Sequence, residues 1–134
     1  MFLLDTVVLS ELRRQQRNPG VVQWVAAQRP SDLFLSAVTI GEVECGIIRQ
    51  QGINPDFAAA LAAWLDAVLT LYADRILGID TATARRWGRL SAQLGNDGAD
   101  LLIAATALEH GLTVVTRNVR HFKPAGVSVL NPFS

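Results

Sequence analysis

Short apolar runs alternate with longer stretches of helical periodicity along the whole chain. Phe2-Leu3-Leu4, Leu33-Phe34-Leu35, residues 75–79, Leu112-Thr113-Val114-Val115 and residues 127–130 are brief apolar or β-branched runs bounded by turn residues, and they read as strands. The last is expected at the outer edge. Between them lie helical patterns: residues 7–17, with Val8, Leu9 and Leu12 inward; 21–28 after the turn chemistry of Asn18-Pro19-Gly20; and 39–51. Residues 55–72 place Ala58, Leu61, Ala62, Leu65, Val68, Leu69 and Tyr72 on one helix face, with Trp64 and Leu71 off that stripe. Asp80 is placed to cap a helix running to about residue 94, and Gly95-Asn96-Asp97-Gly98 is a loop. The segment 99–109 is apolar nearly all round, so it belongs in the middle of the domain, and Gly111 stops it. Strands alternating with helices over such short connections predict an α/β fold: a mostly parallel, about five-stranded sheet covered on both faces.

Length and composition narrow the class. At 134 residues the chain reads as a single domain, 1–134, large enough to bury roughly two thirds of the surface its unfolded form would expose. Half the residues are apolar and the formal charge is zero, which argues against a disordered tail or a polyanion-coating domain. A nucleic-acid substrate stays open. Eleven of the twelve basic residues are arginine, grouped as Arg13, Arg14 and Arg17, then Arg85, Arg86 and Arg89, then Arg117 and Arg120. Solvated helix faces explain any one group, but the guanidinium fork also suits phosphate. Cys45, the only cysteine, permits no internal disulfide and reads as a small buried hydrophobe. Met1 to Leu4 is broken by Asp5 and lacks a basic leader, so it is read as neither signal peptide nor membrane span, and a cytoplasmic location is expected.

Candidate chemistry rests on three acids far apart in the chain. Asp5, Glu42 and Asp100 each follow or close an apolar strand-like run and stand where a helix begins. In an open parallel sheet the carboxyl ends of the strands share one edge, where such acids can meet. Each also has a bland reading. Asp5-Thr6 caps the first helix; Thr39-Ile40-Gly41-Glu42 matches a capping box; Asp97-Gly98-Ala99-Asp100 supplies a cap and an acid in the first turn. Jointly they are harder to dismiss, since carboxylates crowded beside Leu3-Leu4 and Leu101-Leu102-Ile103 lose hydration and repel one another, a cost usually offset by a metal or by protonation.

Four segments in order carry a resemblance. Leu4-Asp5-Thr6 after the first strand, Ser36-Ala37-Val38-Thr39-Ile40-Gly41-Glu42 with Gly46 beyond, Asp100-Leu101-Leu102-Ile103-Ala104-Ala105, and Thr116-Arg117-Asn118 followed by Phe122 together resemble the PIN-domain ribonucleases, and among them the VapC-type toxins of bacterial toxin–antitoxin pairs. The resemblance implies a three-layer α/β/α PIN-like fold and a site where Asp5, Glu42 and Asp100 hold Mg2+ or Mn2+, hard ions suited to oxygen ligands. It implies metal-assisted hydrolysis of RNA phosphodiester bonds, with Thr116 orienting a carboxylate or a water. Arg13, Arg117 and Arg120 are candidate RNA contacts. The family's habits further imply a homodimer restrained by a cognate antitoxin, whose tail would lie across the acidic crevice, and no membrane association.

Two positions depart from the family pattern. Val7 stands where many members carry asparagine, and a fourth acid after the Thr-Arg segment is replaced by Asn118 and His121. Asn118, His121 and Asp97 are therefore auxiliary candidates, and one tight metal site is expected with the second weak or absent. A haloacid-dehalogenase-type phosphatase needs an aspartate where Val7 stands, and a dinucleotide-binding domain needs a glycine-rich turn after the first strand; neither is present. The remaining alternative is a catalytically impaired PIN-fold protein that works by binding RNA or a protein.

Overall fold

The computed structural model describes residues 1–134. Five strands, β1 (Phe2–Leu4), β2 (Leu33–Ser36), β3 (Ile76–Leu77), β4 (Thr113–Val115) and β5 (Val129–Leu130), form one wholly parallel sheet in the order β3-β2-β1-β4-β5. The helices are α1 (Thr6–Arg13), α2 (Pro19–Ala26), α3 (Ala37–Gln51), α4 (Pro55–Tyr72), α5 (Thr81–Leu94), α6 (Ala99–His110) and the short α7 (Val119–Phe122). Strand pleating sends neighbouring side chains to opposite faces, and that alternation builds two cores. Leu3 and Val114 face α5, α6 and the segment from Phe122 to Val127, whereas Leu4, Leu33, Leu35 and Val115 face α1, α2 and α4. The result is the expected three-layer α/β/α sandwich.

Helix α6 is the central helix that its all-round apolarity predicts, with Leu101, Ile103, Ala104, Ala105, Thr106 and Ala107 buried. Gly111 ends it in the left-handed conformation, at φ 67°, where a side chain would be strained. Asp80 caps α5 by accepting a hydrogen bond from the Thr83 amide at 2.8 Å. Between Pro55 and Arg75 the chain has the length and apolarity of a membrane span, but here Ala58, Leu65, Val68 and Tyr72 of α4 pack into the cores. Trp64, off the predicted stripe, is half-buried between α4's neighbours, while Leu71 is 67% exposed.

Several boundaries differ from the sequence reading. The first helix stops at Arg13, four residues short, because the Glu11 carboxylate accepts the Asn18 amide at 2.9 Å and draws the chain into a turn. Asn18-Pro19-Gly20 is no free turn: Asn18 caps α2 through the Gly20 and Val21 amides, and Pro19 takes the first helical position, where its missing N–H costs nothing. The third strand shrinks to Ile76–Leu77 because residues 73–75 form a 3-10 turn, in which Ala73 holds φ 31°. The fourth and fifth strands are likewise shorter than expected. Cys45 is exposed rather than buried, since α3 turns Val43 and Ile47 inward and Cys45 lies off that face.

Candidate metal centre

The sheet order puts a topological switch between β1 and β4, because the chain leaves β1 outward through β2 and β3 and returns on β1's other side. Leu4 pairs with Val115, so the next residues, Asp5 and Thr116, emerge side by side at the carboxyl edge. The Asp5 amide donates to the Val115 carbonyl at 2.9 Å, extending the ladder up to the acid itself. Asp5 then caps α1. One carboxylate oxygen accepts the Thr6 amide at 2.8 Å and the other accepts the Thr116 hydroxyl at 2.8 Å. The Thr116 hydroxyl in turn accepts the Asn118 amide at 2.9 Å, which leaves its single proton aimed at Asp5.

Glu42 arrives by a different route from the one its spacing suggests. Helix α3 starts two residues before Thr39, capped by Ser36 through the Val38 amide, so Glu42 stands in the second turn and the capping box does not form. Released from that role, Glu42 accepts a 2.6 Å hydrogen bond from the Thr6 hydroxyl, which also lies 3.0 Å from the Thr39 hydroxyl. Nothing in the local sequence marks Thr6 beyond its place beside a helix cap. Only the packing of α1 on α3 reveals that it joins the first acid's helix to the second acid.

Asp100 follows a loop, not a strand. Gly98 is the N-terminal cap of α6 and offers no side chain, while Asn96, not Asp97, satisfies the Gly98 amide at 2.9 Å. Asp97 is exposed and makes no side-chain hydrogen bond. Asp100, in the first turn of α6, lies 3.1 Å from Nδ1 of His121 on α7. Asn118 is exposed and contributes its backbone to Thr116.

Electrostatics tie the three acids together. Burial pushes the Asp5 carboxyl up to about 6; the Thr116 and Thr6 hydrogen bonds oppose that, and the negative charges of Asp100 and Glu42 add to it. Asp5 is only 4% exposed, and no ion pair in the fold involves Asp5 or Glu42. This is a buried carboxylate with two like-charged neighbours and no counter-charge. No three His, Cys, Asp or Glu side chains yet stand close enough to make a ready cage. The donor set nonetheless suits a hard cation, because magnesium keeps several waters and needs only one or two carboxylates.

The candidate RNA contacts diverge. Arg13 lies over the Phe57 ring, 5.2 Å from its centre, and lines a groove with Thr6, Glu42 and Trp64. Arg117 covers Phe133 at 4.8 Å and lines a separate pocket, and Arg120 shares a third pocket with Asp100 and His121.

Comparison with known proteins agrees with this architecture. The PIN domain family matches residues 2–127. Toxin FitB of Neisseria gonorrhoeae is 37% identical, and the VapC ribonuclease Y4jK of Sinorhizobium fredii 35%, each over 99% of this chain and at least 98% of its own length. The crystal structure of FitAcB from Neisseria gonorrhoeae superimposes with a TM-score of 0.87 at 38% identity, covering 98% of both chains. With an acid at the end of β1, a parallel sheet switching direction beside it and this match over nearly every residue, the chain belongs to the PIN domain family.

Proposed function

We propose that this protein is a divalent-metal-dependent endoribonuclease, the toxin of a toxin–antitoxin pair, working in the cytoplasm. The observation that carries the reading is the uncompensated Asp5 carboxylate, buried at the β1/β4 switch under the charges of Glu42 and Asp100. Asp5, Glu42 and Asp100 would hold a magnesium or manganese ion. Such an ion supplies charge neutralisation on the scissile phosphate and activates water for hydrolysis. Thr116 is a positioning residue that fixes one Asp5 oxygen and favours its ionised form, and Thr6 positions Glu42 through its hydroxyl. The β1/β4 edge itself excludes water from the back of Asp5, so only its outer side meets substrate.

A toxin acting on its own cell's RNA needs restraint. The groove of about 200 Å³ running from Thr6 and Glu42 past Arg13 to Phe57, Leu61 and Trp64 offers an antitoxin tail apolar anchorage beside the acids. A homodimer is part of the same reading, with the exposed Leu69 and Leu71 of α4 as apolar surface to cover.

One observation favours a second reading, a binding protein with impaired catalysis: Asp100 is engaged by His121 instead of standing free beside Asp5. Cleavage of structured RNA by wild type and Asp5→Asn, each with magnesium and with a chelator, separates the two. Wild-type cleavage lost to either change supports the nuclease; cleavage indifferent to both refutes the metal mechanism.

A further inference from the structure

At the end of α1 away from Asp5 lies a pocket of about 190 Å³ that the proposed hydrolysis does not use. It is lined by Glu11, Arg14, Gln16, Arg17, Asn18, Arg117 and Phe133, so three arginines border one small space. Crowding of that kind is unfavourable unless something negative compensates it. The only acid present, Glu11, is already engaged. It is 7% exposed, it accepts the Asn18 amide at 2.9 Å, and its other oxygen lies 3.2 Å from Arg14. Its carboxyl is held below the usual range first by the Asn18 amide, with Arg14 and Arg117 adding to the effect. One carboxylate against three arginines leaves two positive charges over.

The geometry of those charges is suited to an oxyanion. Arg17 spends only one N–H within the fold, its Nε donating to the Arg14 carbonyl at 3.0 Å. Arg117 makes no ion pair and is held by stacking on Phe133, a contact that leaves the in-plane N–H groups of a guanidinium free to donate. Phe133 is held in turn by the C-terminal segment, where Ser134 bonds Asn18 and Gly20. Gly20 allows that approach, since a Cβ there would stand 2.5 Å from the Pro132 carbonyl. The stacking platform is thus built by the fold and is not a chance surface contact.

Position relates this pocket to the acids. Arg117 directly follows Thr116, the Asp5 partner, and Glu11 lies six residues along α1 from Asp5, about 9 Å at the helical rise. A strand of RNA whose scissile phosphate sits at Asp5 reaches that far within a short run of nucleotides. We propose that Arg14, Arg17 and Arg117 seat a second, uncleaved phosphate of the RNA substrate and so set the register of the strand over Asp5. This rests on the ribonuclease reading and adds to it a substrate-positioning site.

The test pairs Arg17→Ala and Arg117→Ala in the full-length protein with a short single-stranded RNA. Arg17→Ala is the key variant, since its one internal bond is to an exposed carbonyl and the fold should survive; thermal melts check this. Binding is measured by fluorescence anisotropy across a salt series with calcium in place of magnesium. Each variant should weaken binding several-fold and lower the slope of log K against log salt by about 0.7, the value for one released counterion on a single strand. In cleavage assays the loss should fall on KM. An RNA with one neutral methylphosphonate linkage placed in turn along the strand should show a single position where wild type loses affinity and Arg17→Ala loses no more. Unchanged slopes and no such position would overturn the proposal while leaving the nuclease reading intact. A changed slope in a protein that never cleaves RNA would keep the phosphate seat and sink the nuclease reading instead.

Discussion

The Thr116 hydroxyl donates to Asp5 Oδ2 at 2.8 Å, joining the ends of two neighbouring strands that lie 111 residues apart in the chain. Both groups are buried, and the Asn118 amide fixes which way the proton points. Thr116→Val should keep the shape but strand the Asn118 amide and one Asp5 oxygen, at a cost of about 1–3 kcal/mol. Because the lost bond is one that lowers the Asp5 pKa, that pKa should climb further above 6 and carry the acid limb of the activity profile upward. Thr116→Ser should restore both. An acid limb that stays in place in Thr116→Val would show that the hydroxyl does not tune Asp5.

Ionised Asp5 is a burden on the fold in the absence of a cation. Its folded pKa of about 6 lies above the ordinary 3.8, so the native state binds the proton more tightly than the unfolded chain does. Stability contributed by that proton is present below about pH 4 and is lost as pH rises through 6. The shift corresponds to about 3 kcal/mol as an upper bound. Asp5→Asn should therefore be more stable than wild type at pH 7.5 in a chelator, by roughly 1–3 kcal/mol, with the advantage shrinking at pH 4. Denaturant midpoints at the two pH values decide it; an advantage that grows toward acid would contradict the assignment.

Divalent cations should reverse that penalty. Manganese or magnesium should raise the melting temperature of wild type, more at pH 7.5 than at pH 5, because the ion competes with the proton on Asp5. Asp5→Asn should show little response. Calorimetric titration should give one tight site, since His121 and Asn118 stand where further negative charge would be needed for a second. Two equally tight sites would be incompatible with this donor set.

Thr6→Val tests the bridge from α1 to Glu42. Losing a 2.6 Å hydrogen bond to a carboxylate frees Glu42 to rotate away from the centre. A fall in kcat of about tenfold is expected, within the range for displaced positioning groups, with a melting temperature near that of wild type. If cleavage and metal affinity both survive unchanged, Glu42 is not held by Thr6 for function.

Cys45 gives a direct check on the placement of α3. Its exposure predicts rapid labelling by a thiol reagent in native buffer. Labelling that requires denaturant would mean that the outer face of α3 is covered, as a partner subunit there would do.

The local sequence determined the elements and the layers. Consecutive apolar residues at Leu3-Leu4 and Val114-Val115 specify a strand buried on both faces, and the all-round apolarity of 101–108 specifies a central helix, because each side chain's need to leave water is a local property. Asp80 and Gly111 marked their helix ends for the same reason: a cap is satisfied within three or four residues. What lay outside that range was decided by tertiary contact. The first helix ends early because Glu11 reaches seven residues on to the Asn18 amide, beyond the span of a cap, whereas the start of α3 at Ala37, capped by Ser36, and the Asn96 turn at Gly98 are local and compete with the cap signals at Thr39 and Asp97. The Thr116 to Asp5 and Thr6 to Glu42 bonds, and the raised Asp5 carboxyl, exist only once β1 lies against β4 and α1 against α3. Hydrogen bonds and charge repulsion act over a few ångströms, and no local pattern in the chain states which distant residues will be brought that close.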